Sequence, residues 1–151
     1  MPIDSLLFEK LTAFCAYQER CKKDVVQKMR KLEIVPEDQA EYIERLIEEN
    51  FLNEHRFVRS YVNAHIKKHW GKNKIKAGLY NKQIKSELIK EYLDSVENEN
   101  YKQKINDVVA LKWPKIKGET LHQRKAKLIQ HLMGKGYEYD KFKLVVNALK
   151  V

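Results

Sequence analysis

Two histidines come closest to the spacing of a reactive site. His65 and His69 lie four positions apart, which would place both imidazoles on one face of a helix, where they could share a metal ion. No glutamate lies between them, and the sequence offers no evident third ligand. We therefore expect both histidines to be structural, and we expect neither a metal ion nor a cofactor.

Other arrangements that could support catalysis are incomplete. A phosphate-binding loop would need a glycine five residues before Gly71 and Lys72, but Ile66 stands there. The segment 134–136 is more simply a helix C-terminus than half of a nucleotide motif. The four serines lack a Gly-x-Ser-x-Gly context, and the two cysteines, six positions apart in a helical stretch, cannot bridge each other. The sequence thus predicts a protein that is not an enzyme, with its cysteines buried as thiols.

Basic residues are the strongest functional feature of the sequence. The chain has 151 residues and a formal net charge of +9, with 30 Lys and Arg against 21 Asp and Glu. Residues 1–50 have 8 basic and 11 acidic side chains, residues 51–100 have 10 and 6, and residues 101–151 have 12 and 4. Between Glu54 and Glu87 there are nine basic residues and no acid. This pattern favours a surface for a polyanion or an acidic protein over a merely solubilising face.

A helix at residues 54–70 would present part of this charge on one face. Arg56, Arg59, Asn63 and Lys67 follow a helical spacing opposite an apolar stripe that includes Phe57 and Tyr61. We expect the aromatic residues of this stripe to pack in the core and Tyr80 to be exposed. The full set of candidate contact residues is Arg20, Lys22, Lys23, Arg56, Arg59, Asn63, Lys67, Lys68, Lys72, Lys74, Lys76, Arg124, Lys125, Lys127 and Lys135.

The elements that position these residues are predicted to be helices throughout. Glycine, proline and threonine are scarce, so the chain lacks the turns and β-branched alternation of a sheet protein. Asn53 and Gly71 are predicted to cap the two ends of the 54–70 helix. Pro36 is predicted to begin a helix that ends near residue 50. Its expected apolar face is Ala40, Ile43, Ile47 and Phe51, and its expected solvated face is Glu37, Glu41, Glu44 and Glu48.

An internal repeat of about 50 residues organises the helices. Met29, Leu79 and Leu132 are each followed five residues later by a bulky apolar residue, and further apolar residues recur at fixed offsets. Each repeat is predicted to contain three helices, and one such unit buries too little apolar surface to stand alone. We therefore predict an all-α fold of three tandem three-helix repeats in an elongated, curved array, with domains at residues 1–52, 53–97 and 98–151.

The central segment resembles the RecX family. The matching positions are Phe51-Leu52-Asn53-Glu54, Arg56-Phe57, Tyr61-Val62, Gly71, Ile75, Leu79, Lys82 and Ile84, with weaker matches at Arg20 to Met29 and at Lys135-Gly136-Tyr137. The sequence departs from the family pattern at Asp24, Gln27, Asn50 and Val58. These departures affect contact details, because the family has no catalytic group to lose.

The resemblance implies three tandem three-helix repeats and a regulator of the RecA recombinase. Such a regulator would lie in the groove of the RecA filament and modulate, usually inhibit, strand exchange, ATPase and coprotease activity in recombination and the SOS response. The alternative is a general basic helical protein that binds DNA or RNA without a recombinase target. Single- or double-stranded DNA stays open as the charged partner in either case.

We also expect a monomer that is cytoplasmic and soluble. No apolar run reaches the roughly 18 residues of a membrane span, and the first ten residues contain Asp4 and Glu9 where a secretory signal would be basic.

Overall fold

The structure is a computed structural model that describes residues 3–150. Residues 1, 2 and 151, at the outer ends of the first and third predicted domains, lie outside the described residues. Within that range the fold is all-helical and contains no strand, as predicted. The helices are α1 (Ser5–Tyr17), α2 (Lys22–Lys31), α3 (Pro36–Glu48), α4 (Glu54–Lys67), α5 (Lys72–Asn81), α6 (Ser86–Asp94), α7 (Asn98–Lys112), α8 (Leu121–Gly134) and α9 (Tyr139–Asn147).

The helices form three consecutive three-helix units. Helices α1 and α3 each pack on α2, all three helices of α4 to α6 and of α7 to α9 pack on one another, and α4 also packs on α7. None of the helices among residues 3–150 is long and apolar enough to cross a bilayer. The fold class predicted from the repeat is confirmed, while the boundaries at residues 52 and 97 stay predictions.

The spacing of the repeat has a local cause in the way its helices end. The backbone N–H of Ile34 donates to the carbonyl of Met29 at 2.9 Å, and Ile84 and Tyr137 make the same bond to Leu79 and Leu132. This six-to-one bond is the Schellman closure of a helix, and it requires a left-handed residue just before the donor. Glu33, Gln83 and Gly136 occupy that position, with φ of 62°, 62° and 94°. The five-residue interval of the repeat therefore corresponds to one Schellman closure of a helix in each unit.

The predicted end of α4 is wrong in its detail. The helix stops at Lys67, and His69 rather than Gly71 adopts the left-handed conformation, with φ of 63°. The backbone N–H of Trp70 then donates to the carbonyl of His65 in the same Schellman pattern. Gly71, at φ of −78°, is instead the N-cap residue of α5. Asn53 caps the start of α4 as predicted, because its side chain accepts the N–H of Arg56.

The predicted apolar face of α3 is also wrong in part. Pro36 opens the helix as expected, but Ala40 and Ile47 are exposed, and Tyr42 and Leu46 form the buried face. With 13 residues, α3 is four residues longer than α6 and α9, which have 9 each. All three helices begin at the same place in the repeat, so the extra turn of α3 lies at its C-terminal end, and its buried pair lies about one turn further along than the pairs of α6 and α9.

The apolar core is divided unevenly among the units. One cluster of buried residues fills the first unit and includes Leu11, Val25 and Leu46. A second, larger cluster runs without interruption through the second and third units, from Phe57 in α4 to Val146 in α9. The second and third units thus share one core, and the first unit has its own, except that buried Cys21 at the start of α2 belongs to the shared cluster.

The extended arrangement is reflected in the surface area. The chain exposes 9944 Å². A compact monomer of 18.0 kDa would expose about 8,000 Å². The excess of about a quarter is expected when three small units are placed in a row rather than folded around one centre.

Candidate partner-binding surface

Helix α4 presents the basic stripe that the sequence predicts. Phe57, Val62 and Ile66 are buried, which turns the opposite face of the helix to solvent. Arg59, Asn63 and Lys67 lie on that exposed face, and Lys68 is exposed just beyond the helix end. We name Arg59, Asn63, Lys67 and Lys68 the α4 stripe.

Arg56, which the sequence predicts on the same face, has a different environment from the α4 stripe. Its Nε donates to the carboxylate of Glu19 in the first unit, and its Nη2 donates to the carbonyls of Asn50 and Phe51 at 3.0 and 3.3 Å. About 30% of the side chain is exposed. Arg56 therefore joins the second unit to the first and holds the segment that follows α3, so its guanidinium is engaged within the chain.

A cleft of about 270 Å³ borders the α4 stripe. Asn63 and Lys67 form one wall, and the other wall comes from the α6–α7 connection and the first turn of α7, with Ser95, Glu97 and Asn100. The lining is mostly polar and includes one carboxylate, so the cleft can hydrogen-bond a polar partner but offers no concentrated positive charge.

Two lysines of the second unit lie over aromatic rings. The Nζ of Lys74 is 4.2 Å from the centroid of Trp70, and that of Lys72 is 4.9 Å from the centroid of Tyr101. Cation–π contacts of this kind fix the lysine heads near the α4–α5 connection. Lys76, one turn further along α5, is exposed.

The candidate residues of the first unit serve mainly to hold helices together. Arg20 stacks on Phe14 at 3.7 Å and donates to its carbonyl, and Lys23 donates to the carbonyl of Asn81 in the second unit at 2.7 Å. The side chain of Lys22 is exposed.

The candidate residues of the third unit bond to backbone carbonyls. Arg124 donates to Trp113 and Ile116, Lys125 donates to Asn147, and Lys127 donates to Lys117. Lys135 is half-buried, and its carbonyl accepts the N–H of Gly71 at 2.7 Å. The structure thus brings the α4 stripe together on one helix but distributes the other candidates among all three units.

Three further lysines were not among the candidates taken from the sequence. Lys112, Lys115 and Lys117 line a groove against α8 together with Lys127 and His131. One sequence feature could have indicated this groove: Glu119 is the only acidic residue between Asp107 and Glu138. Glu119 interrupts the run, and for that reason a search for acid-free segments favours the second unit.

An ion pair near the candidate residues of the first unit shows how charge is neutralised there. Burial would raise the pKa of Asp24, but the hydrogen bonds from Lys82 and the N–H of Cys21 outweigh it and lower the pKa below its ordinary value. The Nζ of Lys82 lies 3.0 Å from the Asp24 carboxylate, and this contact raises the lysine's pKa despite the opposing effect of burial. Both shifts favour the charged pair, which joins the first unit to the second.

Cys15, Cys21, His65 and Tyr80 have the environments that the sequence predicts. Cys15 and Cys21 are buried free thiols whose pKa values are raised by burial. His65 stacks on Tyr61 at 4.0 Å between ring centroids and contacts its carbonyl, which is a structural role. Within residues 3–150 no group of three or more His, Cys, Asp or Glu side chains could hold a metal ion. Tyr80 is 69% exposed, as predicted.

The acidic face predicted for α3 is also confirmed. Glu37, Glu41, Glu44 and Glu48 are all exposed. The first unit therefore presents negative charge, in contrast to the basic surfaces of the second and third.

Comparisons with known proteins agree on one family. Residues 53–93 match the model "RecX, second three-helix domain", and residues 99–146 match "RecX, third three-helix domain". The "Regulatory protein RecX" of Oceanobacillus iheyensis is 29% identical over 141 residues, and that of Clostridioides difficile is 29% identical over 131 residues. These matches cover 90% and 83% of this chain, but 50% and 62% of the relatives, so the chain spans little more than half of their length.

A solved structure shows the same fold. The "Crystal structure of regulatory protein RecX" superimposes with a TM-score of 0.84 at 19% identity, covering 93% of this chain and 70% of that one. From the two matched three-helix domains and these relatives, we conclude that the chain belongs to the RecX family.

Proposed function

We propose that this chain is a non-enzymatic regulator that binds the filament of the RecA recombinase and inhibits strand exchange, ATP hydrolysis and coprotease activity. The observation that supports this most is the match of residues 53–93 and 99–146 to consecutive RecX domains. The curated relatives are named regulatory proteins, which agrees with a regulatory rather than a catalytic role. The protein acts in the cytoplasm as a monomer, during recombination and the SOS response.

The shape and charge of the chain suit this proposal. Three units in a row expose more surface than a compact protein of the same mass. This length would allow the chain to contact neighbouring protomers of a helical filament. The α4 stripe supplies positive charge on the middle unit, where it can face acidic side chains of the recombinase or the filament's DNA.

Co-sedimentation with recombinase filaments on single-stranded DNA tests the proposal. The wild-type chain should sediment with filaments and lower their DNA-dependent ATP hydrolysis. Reversal of the α4 stripe by Arg59→Glu and Lys67→Glu should weaken binding by ~10-fold, because both side chains are exposed and like charges would then meet across the interface. The matched control Lys10→Glu and Lys31→Glu makes the same change of charge at exposed positions of the first unit and should bind nearly as the wild type does.

Failure would take two recognisable forms. If the ATPase rate of the recombinase is unchanged up to several-fold excess of the chain, the regulatory proposal is wrong. If bare single-stranded DNA binds the chain as tightly as filaments do, the alternative of a general basic nucleic-acid-binding protein replaces it. The net charge of +9 is the observation that supports this alternative. ATP hydrolysis by the chain alone would contradict the non-enzymatic role.

A further inference from the structure

A groove of about 570 Å³ lies in the third unit, between the end of α7 and the side of α8. It is formed where the chain leaves α7 through a 3₁₀ turn at Trp113–Lys115 and runs back along α8. The groove is lined by Lys112, Lys115, Ile116, Lys117, Lys127, Gln130 and His131. Four of these seven residues are lysines, and none is acidic.

Hydrogen bonds from α8 hold the wall of this groove in place. The guanidinium of Arg124 donates to the carbonyls of Trp113 and Ile116, each at 3.1 Å, and the Nζ of Lys127 donates to the carbonyl of Lys117 at 2.6 Å. Because these bonds fix the backbone on both sides of the turn, the lysines of this segment are attached to a backbone of fixed position. Ile116, the only apolar lining residue, is 7% exposed and forms part of the core.

The positive charges in the groove are close enough to influence one another. Burial, together with the charges of Lys112 and Lys135, lowers the pKa of His131. Burial is the larger cause of this shift, and the two lysines add a positive potential at the imidazole. No lining carboxylate offsets that potential, so binding of an anion would relieve repulsion already present in the folded chain.

The lining residues favour phosphates over a protein partner. Protein interfaces are depleted in lysine and depend on aromatic, arginine or large apolar anchors, and the groove presents none of these to solvent. The ring of Trp113 is covered by the guanidinium of Arg124 at 4.0 Å. A single strand would need exposed aromatic rings on which its bases could stack. In a duplex the bases are already stacked, and the regularly spaced phosphates are what the lysines would meet.

We propose that this groove binds the phosphate backbone of duplex DNA through Lys112, Lys115 and Lys117. Lys115 and Lys117 are exposed, and Lys112 is half-buried at the base of the groove. Lys127 positions the segment through the Lys117 carbonyl. The site does not depend on the recombinase, and it uses none of the residues of the α4 stripe.

Fluorescence anisotropy with a labelled duplex of about 20 bp, roughly two helical turns, tests this site. The full chain is used without recombinase, alongside a single strand of the same length. The variant Lys112→Gln, Lys115→Gln, Lys117→Gln should bind duplex ~10-fold or more weakly, and the slope of log affinity against log salt should fall by roughly three. The matched control Lys10→Gln, Lys31→Gln, Lys141→Gln removes the same charge at exposed positions and should stay within about twofold of the wild type.

Four results would overturn the assignment: equal loss in both variants, tighter binding of the single strand, undiminished binding by the groove variant, or no duplex binding by the wild type. Circular dichroism verifies the fold, and if the triple variant does not fold, the double variant Lys115→Gln, Lys117→Gln at two exposed positions replaces it. Filament co-sedimentation is a separate measurement, so a failure of this site leaves the proposed regulation to its own test.

Discussion

The junction between the first and second units is made mainly of side-chain polar contacts, with Cys21 as the one buried first-unit residue in the neighbouring core, whereas the junction between the second and third is made of backbone hydrogen bonds and apolar core. Across the first junction, Arg56 pairs with Glu19 and Lys82 pairs with Asp24. Across the second, the N–H groups of Gly71 and Asn73 donate to the carbonyls of Lys135 and Gly136 at 2.7 and 2.9 Å. A shared apolar cluster surrounds that second junction.

The difference teaches which parts of the chain should unfold together. Buried apolar contacts and satisfied backbone bonds are not weakened by charge screening, so the second and third units should behave as one cooperative body. Partly exposed ion pairs contribute little and are screened by salt, so the first unit should separate more easily. The two tryptophans, Trp70 and Trp113, both lie in the second and third units, and their fluorescence reports that body alone.

The largest effect should come from Gly71→Ala at the second junction. A Cβ there would overlap backbone atoms of Gly136 and Tyr137, which cannot move aside cheaply. We expect a loss of about 3 kcal/mol in the free energy of unfolding, measured by urea titration with tryptophan fluorescence. Gly134→Ala is the control, because a Cβ at Gly134 meets nothing within 4 Å. Equal stability of the two variants would show that the close approach does not hold the units together.

A smaller effect is expected from Tyr101→Phe at the same junction. The hydroxyl of Tyr101 donates to the carboxylate of Glu138 and accepts the N–H of Lys72 at 2.9 Å. Its removal leaves both groups without this partner and should cost about 2 kcal/mol in the same titration. The control Tyr80→Phe changes an exposed hydroxyl and should alter stability by less than about 0.5 kcal/mol. A similar loss in both would contradict a special role for the buried network.

Arg56→Met should lower the free energy of unfolding of the first unit by about 1 kcal/mol, because its contacts lie at the first junction. The change removes the contacts to Glu19, Asn50 and Phe51. Hydrogen exchange should accelerate in α1 to α3, while the tryptophan-detected transition stays in place. Arg59→Met, at an exposed position three residues along α4, is the control. Faster exchange spread evenly over all nine described helices would mean that the first unit is not separable.

The smallest effect should be the pH dependence of the Asp24–Lys82 pair. Since the pKa of Asp24 is lowered in the folded chain, its contribution is present at neutral pH and is lost as the pH falls from about 4 through the folded pKa. Stability measured against pH should therefore fall less steeply below pH ~4 in Asp24→Asn than in the wild type. If stability depends on pH in the same way in both proteins, the Asp24–Lys82 pair does not stabilise the first junction.

Local patterns in the sequence predicted the order of helices and the repeat. Their spacing comes from contacts within a few residues, as in the closure that links Met29 to Ile34. Gly71 shows what such patterns miss. Glycine is the residue type typical of a helix C-cap, which is why the sequence predicted one here. The structure requires glycine at this position for another reason: the backbone of Gly136, 65 residues away, lies too close to leave room for a Cβ.

The candidate surface was predictable to a similar degree. Periodicity on α4 placed Arg59, Asn63 and Lys67 on one exposed face. It could not separate Arg56 from them, since that side chain is turned toward Glu19 of another unit. Nor could it find Lys112, Lys115 and Lys117 as a group, because only the turn after α7 brings them against α8.

The core shared by the second and third units has a consequence for synthesis on the ribosome. Residues up to Leu52 complete the core of the first unit, so this unit can fold while the rest is being translated. The second unit reaches its final packing only after Tyr137, Phe142 and Val146 have emerged. Until then its apolar face is exposed to chaperones and to other nascent chains. Arrest-peptide force measurements should accordingly show one early folding event and one after α9 has emerged, rather than three evenly spaced events.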